Sequence, residues 1–183
     1  MTPRESLSLA LDEAQGGAAR VALSSQAVVL RGFACDHAPE LIAAIAEIAA
    51  VSPFRHMVTP GGWEMSVALT NCGQFGWVTD RSGYRYDPID PETGRPWPAM
   101  PAAAADLAVA ASDAAGFAGF RPDACLVNRY APGARLSLHQ DRNERDFDQP
   151  IVSVSLGLPA IFLWCARRSW RGPAGESPAR GKA

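Results

Sequence analysis

A histidine and an aspartate one residue apart, His139 and Asp141 in RLSLHQDRNE, are the residues of this chain whose types and spacing could do chemistry. In an extended segment alternate side chains leave the same face, so the two can reach one ion. An imidazole nitrogen and a carboxylate oxygen suit ferrous iron in a two-histidine, one-carboxylate facial triad, which keeps its opposite face open for cosubstrate and oxygen. A pair of this kind arises by chance in roughly one sequence in five of such a composition. Taken alone, then, the spacing also describes an ordinary surface or capped histidine, and its meaning depends on the elements that position it.

A chain of 183 residues with 48% hydrophobic content can bury one sizeable core and is short for two domains. The start MTPRESLSLALDEAQGG has neither the basic opening nor the apolar run of a secretory signal, and no window has the length of a membrane span. A soluble, cytoplasmic protein with no membrane partner is expected. Cys35, Cys72, Cys125 and Cys165 are scattered without a CxxC, which excludes a zinc knuckle or disulfide framework and predicts buried free thiols. The net charge of -2 divides unevenly: 12 Arg face 18 Asp plus Glu up to Trp164, whereas residues 165–183 hold five basic residues and one acid. An acidic body argues against sequence-blind wrapping of nucleic acid, though not against a local arginine patch at a site.

QAVVLRGF, residues 26–33, has strand character, and PELIAAIAEIAA places Leu41, Ile42, Ile45, Ile48 and Ala49 on one helical face, with Asp36 as the expected N-terminal cap. WEMSVALT reads as a half-buried strand, and residues 71–98, rich in glycine, proline and aromatics, as a long functional loop. Pro101 to Ala115 predicts a helix ended by Gly116, followed by a strand over ACLVNRY and two more over IVSVSLGL and AIFLW. Helices first and strands later predict an α+β chain with an antiparallel sandwich or barrel as its core. After Trp164 the composition changes: of 19 residues, 13 are Arg, Ala, Gly or Pro, which predicts a disordered tail.

The segments NRYAPGARLSLHQD, IVSVSLGLPAIF, MVTPGGWEMSVALTNCG and GYRYDPIDPETGRPWPAMP closely resemble the AlkB family of iron and 2-oxoglutarate-dependent dioxygenases, from about Val28 to Phe162. The resemblance implies a double-stranded β-helix, or jelly roll, with N-terminal helices and a nucleotide-recognition lid. It makes His139 and Asp141 iron ligands. Asn128 and Tyr130 match residues that bind 2-oxoglutarate, with Arg129 between them; without the neighbouring HxD pair, routine strand packing would be the better account of them, and with it the order reverses. Trp77 and Tyr84 match aromatics lining the pocket for a flipped base, and Arg85 and Tyr86 complete that segment; an apolar sandwich is what an unstacked, alkylated and cationic base requires. Thr59, Pro60, Gly61 and Trp63 resemble the lid, and Arg135 and Ser137 resemble residues beside the phosphates, a solvated arginine being the alternative for Arg135. Asn143 stands where the family's best-studied members place an aspartate near the base, a change that weakens attraction for a cationic base unless Glu144 compensates. The implied reaction is oxidative demethylation of N1-methyladenine and N3-methylcytosine in single- or double-stranded DNA, with RNA as a further candidate, by a monomer using Fe(II), O2 and 2-oxoglutarate.

Two parts of the family pattern have no match. Its third iron ligand is a histidine tens of residues after the HxD pair, whereas His37 and His56 both precede it, and the later R-x-N-x-x-x-x-x-R strand has no counterpart. The expected organisation is therefore a poorly ordered segment over 1–20, an incomplete dioxygenase domain over 21–164 lacking its C-terminal strands, and an unrelated basic tail over 165–183. Such a chain is expected to bind iron weakly, turn over little and expose sheet edges. The alternative function is non-catalytic: a nucleic-acid-binding module, or a fragment without activity.

Overall fold

The computed structural model describes residues 6–9, 19–24, 26–139, 141, 144 and 146–163. Strands β1 (Ser6–Leu9), β2 (Ala19–Ser24) and β3 (Ala27–Arg31) lead through a 3-10 turn, Cys35–His37, into α1 (Ala38–Val51). Then come β4 (Ala68–Gly73), β5 (Gly76–Asp80), β6 (Gly83–Asp87), α2 (Ala102–Ala115), β7 (Ala124–Arg129) and β8 (Ala160–Leu163). All four ladders are antiparallel pairs: β1 with β8, β2 with β3, β4 with β7 and β5 with β6. Few helices and antiparallel strands are the architecture of the described residues, as the α+β expectation required.

The helices form where period and punctuation place them. Leu41 and Ile48 are buried one face apart on α1, which packs on β4. Ile42, expected on that face, is instead 54% exposed, because it points about 100° away from its neighbour Leu41 on the helix. Asp36 is not the cap: it lies within the 3-10 turn, His37 is the N-cap residue, and Pro39 occupies the first turn, where its missing N–H costs nothing. Helix α2 ends as expected at Gly116, whose φ of 97° is a left-handed conformation that other residues resist.

Strand β4 carries the core. Ala68 to Cys72 are all buried, because one edge of the strand pairs with β7 while Arg55 closes the other through reciprocal Arg55 N–H to Leu69 O and Leu69 N–H to Arg55 O bonds of 3.0 and 2.8 Å. Met57, Val67, Leu69, Val78 and Trp97 form a cluster, and Met65, Trp77, Ala134 and Leu136 pack against it. Each large apolar side chain so buried stabilises the fold by about 1.5–3 kcal/mol.

Three strand expectations need correction. The strand expected over WEMSVALT begins at Ala68, because residues 57–65 instead fold back on themselves: Met65 N–H donates to Met57 O and Thr59 N–H to Trp63 O, both at 2.8 Å. The long loop of 71–98 contains the hairpin β5–β6, turned through Arg81 and Ser82 into Gly83 at φ 132°, so its aromatics alternate on a ladder and do not hang in a loop. IVSVSLGL forms no strand: Ile151, Val154 and Leu158 are exposed, and no neighbouring strand among the described residues offers its backbone a ladder. β8 pairs instead with β1, across a sequence separation no local pattern can report. Cys72 is buried as predicted, whereas Cys35 is exposed.

Candidate active site

The hairpin β5–β6 presents two different faces. Trp77 opposes Tyr86 and Thr79 opposes Tyr84, so Trp77, Tyr84 and Tyr86 share one face. The Trp77 and Tyr84 rings stack with centroids 5.7 Å apart and planes inclined by 26°. Trp77 is clamped from β4: Asn71, fully buried, donates from Nδ2 to Trp77 O at 3.1 Å and accepts Trp77 N–H on Oδ1 at 2.9 Å. Arg85 lies on the opposite face, where Nη1 pairs with Asp80 at 2.8 Å and Nε with Asp87 at 3.4 Å. It is thus not brought together with the three aromatics.

Tyr86 ties that hairpin to the HxD segment. Its hydroxyl donates to Glu144 Oε1 at 2.8 Å. Burial, the hydrogen bond to Glu144, and the negative charges of Glu144, Asp141 and Asp123 together hold the phenol well above its ordinary value. The Tyr86–Glu144 bond is the contact that joins the aromatic face to the segment carrying the HxD pair. Asn143 lies outside the described residues, but Glu144 is held on the aromatic side of the site.

His139 and Asp141 converge, with Nε2 and Oδ1 3.5 Å apart and both side chains open to solvent. The Nδ1 atom of His139 is 2.7 Å from the Ser137 carbonyl. A carbonyl only accepts, so Nδ1 carries a proton, and in the neutral ring Nε2, on the side facing Asp141, is then the lone-pair nitrogen. That is the tautomer a metal requires. Bonds of about 2.0–2.2 Å from one ion to adjacent donors place those donors about 3 Å apart, so the pair fits a shared cation after a small adjustment. No third His, Cys, Asp or Glu joins them among the described residues.

On β7, Asn128 opposes Leu69 and Arg129 opposes Ala68, so Asn128 and the following Tyr130 share a face while Arg129 points away. Arg129 sits over the Phe54 ring, its guanidinium carbon 4.5 Å from the centroid. Tyr130 is half exposed, and partial burial pushes its phenol up. Ser66 binds Arg135 through both backbone groups: its hydroxyl donates to Arg135 O at 2.9 Å and accepts Arg135 N–H at 3.1 Å. The segment leading to Ser137 and His139 is thereby moored next to the 57–65 hairpin. At that hairpin's tip Gly62 N–H donates to Thr59 O at 2.8 Å, and Trp63, 77% exposed, receives its backbone anchor from Thr59 Oγ1 at 3.2 Å.

One cluster escaped sequence reasoning. Asp90, fully buried, accepts hydrogen bonds from Ser52 Oγ at 2.7 Å, from Arg55 Nη2 at 2.8 Å and from Glu92 N–H at 2.9 Å, and Arg55 Nη1 pairs with its other oxygen. Arg55 also lies over Trp97, and Trp97 Nε1 donates to Asp87 O at 2.8 Å. This network fastens the root of the 57–65 hairpin to the end of β6. Proline on both sides of Ile89–Asp90 is the sole local hint of a fixed position; the partners lie 35 and 38 residues away.

Comparison with known proteins follows the same lines. Residues 26–178 match the 2OG-Fe(II) oxygenase superfamily. Alpha-ketoglutarate-dependent dioxygenase AlkB of Escherichia coli is 62% identical over 140 residues, which are 76% of this chain and 65% of that protein. The AlkB homolog of Caulobacter vibrioides is 48% identical over 122 residues, 67% of this chain and 54% of the relative. Nucleic acid dioxygenase ALKBH1 of Mus musculus is 36% identical over 87 residues, 48% of this chain and 22% of that protein. The chain thus spans 65%, 54% and 22% of these three relatives, less than two thirds of each. On the match over 26–178 and this identity, the chain belongs to the 2OG-Fe(II) oxygenase superfamily, in its AlkB family.

Proposed function

We propose that the protein reverses N-alkylation of nucleic-acid bases by oxidation, with Fe(II) as its metal and 2-oxoglutarate as cosubstrate. The observation that carries this reading is the convergence of His139 and Asp141, in the metal-binding tautomer, with the stacked Trp77 and Tyr84 through the Tyr86–Glu144 bond. A bound iron and 2-oxoglutarate would supply the oxidation of an N-methyl group, from which formaldehyde departs and the base is restored.

The residues of this chain have separable tasks in that reading. His139 and Asp141 hold the metal, and Asn128 and Tyr130 present polar groups from one face of β7 to 2-oxoglutarate, with Arg129 bracing the strand on Phe54. Trp77 and Tyr84 receive the unstacked base, where base–aromatic contact is worth about 1–3 kcal/mol. Glu144, fixed by Tyr86, supplies the carboxylate a cationic N1-methyladenine or N3-methylcytosine favours, a part Asn143 cannot play. Thr59 and Trp63, with Arg135 and Ser137 beside them, form the nucleic-acid-facing rim. The strands belong to a double-stranded β-helix. We read the working protein as a monomer of the cytoplasm acting on DNA, single- or double-stranded, with RNA a second substrate class; no helix among the described residues is long and apolar enough to cross a membrane.

An oligonucleotide bearing one N3-methylcytosine, incubated with the protein, Fe(II), 2-oxoglutarate and air, tests this directly by mass spectrometry. Conversion to unmodified cytosine with formaldehyde and succinate is expected. An unchanged oligonucleotide without succinate would return the protein to the non-catalytic reading.

A further inference from the structure

Strands β4 and β7 place two thiols face to face. Cys72 and Cys125 are directly opposed Cα partners. Opposed residues of an antiparallel pair are about 4.5–5.5 Å apart at Cα, within the range of about 4.4–6.8 Å that a disulfide spans. As directly opposed residues, their side chains leave the same face of the ladder and are cross-strand neighbours. A bond between them requires rotation about side-chain torsions and no change of register.

The two thiols are not equivalent. Cys72 is 1% exposed, whereas Cys125 is partly open to solvent. The neighbouring Cys125 and burial push Cys72 up, while Cys72 beside it brings Cys125 below the ordinary thiol value despite its burial. The accessible sulfur is therefore also the one that becomes thiolate first, which is the pairing of access and charge that thiol oxidation needs. Cys35 is exposed but stands on the 3-10 turn before α1, away from that ladder.

We propose that Cys72 and Cys125 form an oxidisable dithiol, a modification site that a hydroperoxide closes to an intramolecular disulfide. The Cys125 thiolate attacks the O–O bond of the peroxide, takes one oxygen as a sulfenic acid and releases water or an alcohol. The Cys72 sulfur then attacks the sulfenic sulfur, the S–S bond forms, and the hydroxyl leaves as water with the Cys72 proton. Two thiols are oxidised and one peroxide reduced. The rung lies next to functional groups on both strands: Cys72 follows Asn71, which clamps Trp77, and Cys125 precedes Asn128 on β7. A covalent tie there would fix the spacing between the aromatic face and the polar face of β7.

The test uses the reduced, iron-free chain with a chelator present, so that its outcome is independent of any oxygenase activity. A small excess of hydrogen peroxide is added, free thiols are titrated, and the protein is digested without reductant for mass spectrometry. The expected result is loss of two of the four thiols, a peptide pair linked through Cys72 and Cys125, and full reversal by dithiothreitol. The Cys125→Ser chain is expected to lose that paired disappearance. Cys72 and Cys125 both remaining free, Cys125 halting at sulfinic acid, or links formed mainly through Cys35 or Cys165 would overturn the proposal.

Discussion

Replacing Asp90 by alanine removes the one carboxylate that Arg55 and Ser52 share inside the protein. The side chains of Arg55 and Asp90 are 9% and 1% exposed, so their interaction is sheltered from solvent screening. Truncation leaves the Arg55 guanidinium buried without its main counter-charge, and the Ser52 hydroxyl and Glu92 N–H without their acceptor. Breaking a buried pair in this way costs about 3–5 kcal/mol, out of a total of about 5–15 kcal/mol for a typical domain. For a chain of this size the midpoint should fall by about 6–20 °C. Urea and thermal unfolding followed through the five tryptophans measures it. The Arg55→Met/Asp90→Ala chain, which removes the stranded charge as well, should be more stable than Asp90→Ala alone. A loss below about 1 kcal/mol for Asp90→Ala, or a double variant no better than the single one, would refute the reasoning.

Other consequences follow from the same geometry. Burial pushes the Asp90 carboxyl up, but hydrogen bonds from Arg55, Ser52 and Glu92 N–H, with the Arg55 charge, outweigh it and hold the group well below the usual range. Its contribution is then complete above the unfolded value of about 3.9 and lost as pH falls through the folded one; the acid limb of the stability profile should be shallower in Asp90→Asn. Gly76→Ala would drive a methyl into the Trp97 indole and should cost about 1–3 kcal/mol in urea unfolding. Tyr86→Phe frees Glu144 from the hairpin and should weaken binding of an oligonucleotide bearing cationic N3-methylcytosine, followed by anisotropy, by about tenfold, as expected for losing one hydrogen bond to a charged group. Trp77→Ala should weaken binding of an N3-methylcytosine oligonucleotide about 5- to 150-fold by anisotropy, the equivalent of about 1–3 kcal/mol of stacking.

What the chain reveals in advance depends on how far apart the interacting residues are. The HxD spacing and α2 with its glycine stop rest on neighbours within one or two turns, so residue order alone makes them legible. The face assignments of Arg85 and Arg129 required the hairpin and ladder registers: on a β-strand one step of register reverses every side chain, and residue type does not fix that step. Asp90 reads as a turn residue until Ser52 and Arg55 arrive from the end of α1 and beyond it. The apolar alternation of 151–158 meets the local requirement for a strand, yet a strand exists only through a partner, and its backbone pairs with none among the described residues.

The iron centre is the claim on which the functional account turns. Anaerobic titration of the protein with iron(II) and 2-oxoglutarate, followed by visible absorption, reports it directly, because iron(II) chelated by an α-keto acid acquires a charge-transfer band that neither component has alone. The account predicts a band that needs both components and is lost in His139→Ala and Asp141→Ala chains that still fold. No band with the parent protein, or one that persists in both variants, would contradict the assignment of His139 and Asp141 as metal ligands.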